Sequence, residues 1–232
     1  MQLVRRSKWK NYSEKNMISQ FKESNLSWQK ALRIRSFRLQ LLITTIGLCA
    51  VLIFIPQFFL FIQSRNGIVI NDELLNILTP QNFSTAIFVL IYSTIVVAVF
   101  SFYKFPVMLL RVLQCYLLLT FLRIISIWLV PLNAPSGYID LVDPFIGRFA
   151  YAGNYIDKDL FFSGHVSILF LIFLFEERRW LKIIFMLSTF LVAAFLLKQH
   201  VHYSIDILAA PLFALSCYRL WKIADRNSFF RI

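Results

Sequence analysis

The chain has 232 residues, of which 59% are hydrophobic and only 16% are charged, and its mean hydropathy is +0.67. Soluble domains average about 45 to 50% apolar and about 25% charged residues, so this composition excludes an ordinary soluble protein and predicts a membrane protein. At about 20 residues per helical crossing, the chain has room for about six crossings and none for a large soluble catalytic domain.

The N-terminal segment is basic and lacks the early apolar core of a cleaved signal peptide, so we expect it to be retained. Within residues 1–38, Met17, Phe21, Trp28 and Leu32 recur at helical spacing and share one face. This pattern predicts an amphipathic arm lying in the cytoplasmic headgroup region, with a partner-binding or partly disordered arm as the alternative.

Six apolar runs follow the arm, and none shows the alternation of a β-strand. Because a backbone in hydrocarbon must satisfy its own hydrogen bonds, they predict an all-α integral membrane bundle of six transmembrane helices over residues 39–222, followed by a tail at 223–232. The runs cover residues 39–62, 83–103, 106–130, 161–175, 180–197 and 203–221.

The basic residues indicate the orientation of the bundle. Of the 24 lysines and arginines, nineteen fall on one side of the predicted spans and four on the other, so the positive-inside rule places both termini in the cytoplasm. The net charge of +12 is therefore explained mainly by topology, with contact to anionic lipid as a secondary partner, and a nucleic-acid partner is not expected. The three cysteines have no paired spacing typical of a disulfide framework or a zinc site.

Ionisable residues inside membrane spans are costly and are functional candidates by default. Here they are Arg123, His165 and Asp206, with His200 and His202 at the edge of the last span. With the predicted orientation, all five lie at one level near the non-cytoplasmic side, so they are expected to share a pocket.

His202 and Asp206 are four residues apart and so project from one helix face. A carboxylate there can accept the Nδ1 proton of the imidazole and leave Nε2 free to attack or to take a proton. A structural pair is the alternative, but burying a charge in a membrane without a purpose is expensive.

The Ser163-Gly164-His165 tripeptide opens the fourth run, where free backbone N–H groups and the helix dipole favour an anion such as phosphate. The alternative is an N-cap serine followed by a glycine that relieves packing. Phosphoryl transfer is indicated by the combination of groups at one depth: two histidines, a carboxylate, an arginine and an anion-binding helix N-terminus.

Two sequence blocks carry a resemblance to a known family. Asp159 to His165 and the block His200-Val-His202-Tyr203-Ser204-Ile205-Asp206 resemble the signature blocks of the sphingomyelin synthase-like branch of the type 2 phosphatidic acid phosphatase superfamily. The resemblance covers about residues 120–222. Asp157-Lys158, Val166 and Ser204 depart from the family pattern, which leaves the headgroup and the acceptor open.

The resemblance implies an active site that faces the extracytoplasmic side and needs no metal or other cofactor. His202 would be the nucleophile on phosphorus, Asp206 its orienting partner and His165 the acid that protonates the leaving group. The implied substrate-binding and phosphate-binding residues are Ser163, Gly164, Arg123, Asp159, Tyr203 and Lys198.

The expected partners are a phospholipid donor, a lipid alcohol or water as acceptor, and the bilayer, and homo-oligomerisation is left open. The expected activity is transfer of a phospho-headgroup to ceramide, diacylglycerol or a similar alcohol through a phosphohistidine. The alternatives are a lipid phosphate phosphatase, a phospholipase C-like hydrolase, and a non-enzymatic transporter or assembly factor. A metal site built from His165, His200 and His202 is a further, weaker alternative.

Overall fold

The computed structural model describes residues 26–143 and 156–226, and in these residues the protein is all helical, with one isolated β-bridge and no strand. Predictions that fall on Met17, Phe21 and the last residues of the tail lie outside the described residues. The helices are α1 (Trp28–Ala31), α2 (Arg35–Gln63), α3 (Glu73–Ile77), α4 (Ser84–Phe102), α5 (Pro106–Leu129), α6 (Gly164–Phe175), α7 (Arg179–Lys198) and α8 (Ser204–Arg226).

Five of these helices, α2, α4, α5, α7 and α8, are long and apolar enough to cross a membrane. They confirm the prediction of a multi-pass helical membrane bundle, and each begins and ends within a few residues of its apolar run. The 29 residues of α2 extend over about 44 Å at 1.5 Å per residue, which exceeds the hydrocarbon thickness of about 30 Å. The excess is long enough for the basic first turn of α2 to lie outside the hydrocarbon.

The fourth predicted span, residues 161–175, is shorter than expected. Its helix, α6, begins only at Gly164 and has 12 residues, or about 18 Å. It is apolar on all sides, as expected for a helix surrounded by protein, and it packs chiefly against α7 and α8. A six-crossing topology with cytoplasmic termini remains a prediction.

Four connecting segments meet at the end of the bundle where α6 and α8 begin, which we call the site end: residues 64–83, 130–143, 156–163 and 199–203. Their shared apolar centre is a buried cluster containing Leu75, Leu132, Leu160 and Tyr203. Because each residue comes from a different segment, this cluster fixes the four segments relative to one another.

Gln199 adds a polar junction at the same end. Its Oε1 accepts from the N–H of Phe83 at 2.8 Å, and its Nε2 donates to Ser84 Oγ at 2.9 Å and to the Asp140 carbonyl at 2.8 Å. The loop that precedes α8 is thereby held against the first residues of α4.

The N-terminal arm is tied to the opposite end of the bundle. Trp28 Nε1 donates to the carbonyl oxygen of Tyr103 at 2.6 Å, and Phe37 is buried against Val107 and its neighbours. The helical periodicity does not continue through residues 28–35, because the backbone at Ile34 is extended before α2 begins. Trp28 and Leu32 are still one helical turn apart, since the Leu32 N–H donates to the Trp28 carbonyl oxygen at 2.9 Å, and Leu32 is 44% exposed. The amphipathic arm of residues 1–38 remains a prediction.

Candidate active site

The first turn of α6 carries the Ser163-Gly164-His165 tripeptide. The Ser163 side chain makes no capping hydrogen bond, and its Oγ is buried without a partner in the described parts of the chain. Its backbone N–H donates to the carbonyl oxygen of Asp206 at 3.3 Å, which joins the two sequence blocks directly. Ser163 thus occupies the N-cap position of α6 without capping it through its side chain, and its hydroxyl remains available to a ligand at the helix N-terminus.

Arg123 reaches the same point from α5. Its Nη2 forms an ion pair with Asp159 Oδ1 at 2.7 Å, and its Nε donates to the carbonyl oxygen of Phe162 at 2.9 Å. The side chains of Arg123 and Asp159 are only 16% and 23% exposed, so each orients the other in a partly desolvated setting. Asp159, expected to bind substrate, is placed as the partner of the arginine.

Gly164 is required by this close approach. A Cβ atom on residue 164 would lie 2.8 Å from Arg123 Cζ and 2.9 Å from its Nε, closer than real Cβ contacts. The glycine therefore lets the guanidinium group lie directly over the start of α6.

His202, two residues before α8, and Asp206, in its first turn, are buried, with 2% and 0% exposure. His202 Nδ1 is 3.4 Å from Asp206 Oδ2, within ion-pair distance but without hydrogen-bond geometry. The same Oδ2 accepts from the N–H of Tyr203 at 3.1 Å, which fixes the carboxylate in the first turn of the helix. The predicted pair is thus present in a slightly open form, but His202 lies in the bend before α8 and only Asp206 is on the helix.

His165 lies near both of these groups. Its imidazole interacts electrostatically with His202, Arg123, Asp159 and Asp143. The edge of its ring also packs against Phe88, with ring centroids 5.9 Å apart. The structure therefore brings together His165 from α6, Arg123 from α5 and His202 from the loop before α8.

Four buried side-chain atoms at this point have no hydrogen-bond partner within the described residues: Ser163 Oγ, His165 Nδ1, His202 Nδ1 and Asp206 Oδ1. Buried polar groups are nearly always hydrogen-bonded, and each exception calls for an explanation. All four belong to the two sequence blocks. The buried atoms without a partner are therefore on the residues that the sequence predicts to be catalytic or phosphate-binding.

The hydroxyl group of Tyr203, an expected binding residue, is used elsewhere. Tyr203 Oη donates to the carbonyl oxygen of Asn133 at 2.9 Å and accepts from the N–H of Ile70 at 3.2 Å, so its hydroxyl serves the packing of the loops. Lys198 is the last residue of α7, and its part in phosphate binding remains a prediction.

His200 also points away from the candidate site. Its Nδ1 lies 2.7 Å from the carbonyl oxygen of Ser136 and its Nε2 lies 3.1 Å from that of Leu78. Within the described residues, no group of three or more potential ligands is arranged to hold a metal ion, so the alternative of a three-histidine metal site gains no geometric support.

Sequence reasoning missed the acidic side chains contributed by loops. Asp143 accepts a hydrogen bond from Tyr92 Oη at 2.5 Å and interacts with His165. Asp72 contacts the first residue of α8. Neither carboxylate lies in a motif or an apolar run, so only the tertiary structure reveals them.

The family model of the PAP2 superfamily C-terminal domain matches residues 158–223. The match includes α6, α7 and both sequence blocks, and it supports the type 2 phosphatidic acid phosphatase superfamily, whose members are phosphatases and phosphotransferases. It covers less than a third of the chain and leaves Arg123 outside. No curated protein matches the chain.

Proposed function

We propose that the protein is a membrane lipid phosphotransferase of the sphingomyelin synthase-like type. It cleaves the phospho-headgroup from a phospholipid and transfers it to a lipid alcohol such as ceramide or diacylglycerol. The support for lipid phosphatase or phosphotransferase activity is the family match, and the choice of transfer rests on the charge of the site.

The observation that carries this choice is the pairing of Arg123 with Asp159 at 2.7 Å. Arg123 is the one cation bonded at the candidate site among the described residues, and Asp159 offsets its charge. Asp206 adds a further carboxylate beside His202. A site with so little net positive charge suits the single charge of a phosphodiester better than the double charge of a phosphomonoester.

In the first half of the reaction, His202 Nε2 attacks phosphorus while its Nδ1 proton faces Asp206. The new N–P bond forms as the P–O bond to the glycerol oxygen breaks, and His165 in its protonated form donates a proton to the departing alkoxide. Arg123, Ser163 Oγ and the N–H groups at the start of α6 bind the non-bridging oxygens. The products are diacylglycerol and a phosphohistidine that carries the headgroup.

In the second half, the neutral His165 accepts the proton of the incoming hydroxyl group. The hydroxyl oxygen attacks phosphorus, the N–P bond breaks, and His202 regains its neutral form. We place this site on the extracytoplasmic side, because the basic residues favour cytoplasmic termini.

The test is to give the purified full chain, in nanodiscs, either a phosphodiester lipid or phosphatidic acid, with and without ceramide or diacylglycerol. We expect diacylglycerol and a new headgroup-bearing lipid from the phosphodiester, without release of inorganic phosphate. Lipid products are identified by mass spectrometry and inorganic phosphate by colorimetry, and His202→Ala protein is the inactive control.

The alternatives predict other outcomes of the same assay. Turnover of phosphatidic acid alone, with release of phosphate, would replace the proposal with a lipid phosphate phosphatase. Release of the free phospho-headgroup whether or not an acceptor lipid is present would indicate a phospholipase C-like hydrolase. Absence of any turnover, with lipid or ion flux altered by His202→Ala, would indicate a transporter.

A further inference from the structure

Asp72 lies in the segment between α2 and α4, far in sequence from both catalytic blocks. It precedes the short helix α3, and its Oδ1 accepts from the N–H groups of Leu74 at 3.1 Å and Leu75 at 3.3 Å. One such bond suffices for an ordinary N-cap. The carboxylate can accept more hydrogen bonds than this, and the others come from a distant part of the chain.

The second set of contacts goes to Ser204, the first residue of α8. Asp72 Oδ2 accepts from the Ser204 N–H at 2.6 Å, and Asp72 Oδ1 accepts from its Oγ at 2.9 Å. Burial raises the pKa of Asp72, but the hydrogen bonds from Ser204, Leu75 and Leu74 outweigh that effect, so the pKa lies below its usual value. The carboxylate is therefore ionised at neutral pH, and a negative charge at a helix N-terminus is stabilising.

The contact falls within the turn that carries the catalytic pair. Ser204 lies between His202 and Asp206, and the neighbouring Tyr203 Oη accepts from the N–H of Ile70. Ile70 and Asp72 thus hold two consecutive residues of this turn. The geometry being held is sensitive, because His202 Nδ1 and Asp206 Oδ2 are already 3.4 Å apart.

We propose that Asp72 is a positioning residue for the His202–Asp206 pair. It holds the start of α8 through both the N–H and the hydroxyl group of Ser204, and so fixes the backbone between His202 and Asp206. This inference rests on the proposed function for its kinetic consequence, whereas its structural consequence for His202 does not depend on any substrate.

The structural test uses the full chain with ¹⁵N-labelled histidine. The chain has three histidines, so single alanine variants of His165, His200 and His202 assign the imidazole signals. We expect the His202 signal of the parent protein to report a proton fixed on Nδ1, and Asp72→Asn to convert it to a mixture of tautomers while the His165 signal is retained. Glu73→Gln, which changes the exposed acid next in sequence, is the matched control and should change neither signal.

The kinetic test measures kcat and KM separately. Displacement of reacting groups by about 1 Å can cost about 100-fold, so Asp72→Asn should lower kcat by about 10- to 100-fold and leave KM within about threefold. Ser204→Ala should act in the same direction, Ser204→Thr should restore the hydroxyl and the rate, and the Asp72→Asn/Ser204→Ala double variant should lose less than the product of the single effects.

The outcomes distinguish failure of the positioning role of Asp72 from failure of the proposed transferase activity. An unchanged His202 signal in folded Asp72→Asn protein overturns the positioning role, and if that variant does not fold, an unchanged signal in Ser204→Ala has the same meaning. A changed signal in a protein that turns over no phospholipid retains the positioning role and rejects the proposed transferase.

Discussion

At the first turn of α6, Ser163 Oγ and His165 Nδ1 are buried without a hydrogen-bond partner in the described residues, whereas at its last turn the buried carboxylate of Glu176 has several. Glu176 accepts from Ser101 Oγ, from the backbone N–H groups of Glu177 and Arg178 at 3.0 and 2.9 Å, and from Arg178 Nε at 3.0 Å. The two ends of one short helix thus carry different polar clusters. The cluster at its start has buried atoms without hydrogen bonds (unsatisfied), and the cluster at its end is hydrogen-bonded (satisfied).

The difference separates two uses of buried polar groups. A satisfied cluster stabilises the fold, because removing one member leaves the others unpaired in a low dielectric. An unsatisfied cluster contributes little to stability and leaves its donors and acceptors for a ligand. Variants at the start of α6 and α8 should therefore change turnover more than stability, and variants at Glu176 should do the reverse.

The largest effect is expected at His202. His202→Ala should lower kcat/KM by about 10⁴-fold or more, because it removes the proposed nucleophile. Its thermal midpoint should change little, since His202 Nδ1 has no hydrogen bond within the described residues. Lipid turnover and thermal unfolding of the same preparation check both statements.

The matched control is His200→Ala, two residues earlier. This variant should retain most of the activity but unfold at a lower temperature, because it loses the contacts with the carbonyl oxygens of Ser136 and Leu78. The reverse pattern of activities would assign the nucleophile to His200.

Asp206→Asn should have the next largest effect. The amide keeps the shape of the side chain but removes the charge that stabilises the imidazolium and fixes the tautomer, and such a change costs up to about 10⁴-fold in a catalytic triad. We expect a loss of about 10² to 10⁴ in kcat with normal folding. Activity close to that of the parent protein would mean that the reaction does not depend on the pairing of His202 with Asp206.

The long helices and most of the candidate site could be predicted from the sequence because both depend on local properties. The apolar runs specify α2, α4, α5, α7 and α8, since partition into hydrocarbon follows composition. Arg123, His165 and Asp206 stand out because a charge or an imidazole in an apolar run is costly. The turn at Pro135-Ser136-Gly137-Tyr138 was also predictable, and Gly137 has φ of 76° as a type II turn requires.

What the sequence could not supply is the partner of a polar group when that partner lies far away in the chain. Asp72 and Ser204 are 132 residues apart, and no periodicity relates them. The charge of Lys158 alone would suggest that it binds phosphate. Its Nζ instead donates to the carbonyl oxygens of Gln63 at 3.1 Å and Arg65 at 2.5 Å and so caps the end of α2. The length of α6 was overestimated because the apolar run begins with Phe161 and Phe162, which pack against Phe213 before the helix begins.

A smaller effect is expected at Gly164. In Gly164→Ala the new methyl group would displace the Arg123 guanidinium from the start of α6, and we expect kcat/KM to fall by about 10- to 100-fold. Gly47→Ala in α2 is the matched control, because its Cβ would meet only the flexible end of Leu117, at 2.7 Å. Equal activities of the two variants would mean that the position of the Arg123 guanidinium group does not affect catalysis.

The smallest effect on turnover, and a large one on stability, is expected at Glu176. Glu176→Gln keeps an acceptor oxygen but loses the charge that Arg178 and Ser101 stabilise, at a cost of about 1 to 3 kcal/mol, while activity per folded molecule stays within about twofold.

The pH dependence of stability distinguishes this loss of charge from a change in packing. Burial raises the pKa of Glu176, but hydrogen bonds from Arg178 and Ser101 outweigh it, so its pKa lies below the ordinary value of 4.5. A carboxyl group with a depressed folded-state pKa stabilises the protein above that ordinary value, and this contribution is lost as the pH falls through the folded-state pKa. The parent protein should therefore lose more stability than Glu176→Gln between about pH 6 and pH 3, as measured by thermal unfolding across that range. Parallel curves for the two proteins would mean that the charge on Glu176 does not hold this end of α6 together, and the contrast with the start of the helix would then rest on packing alone.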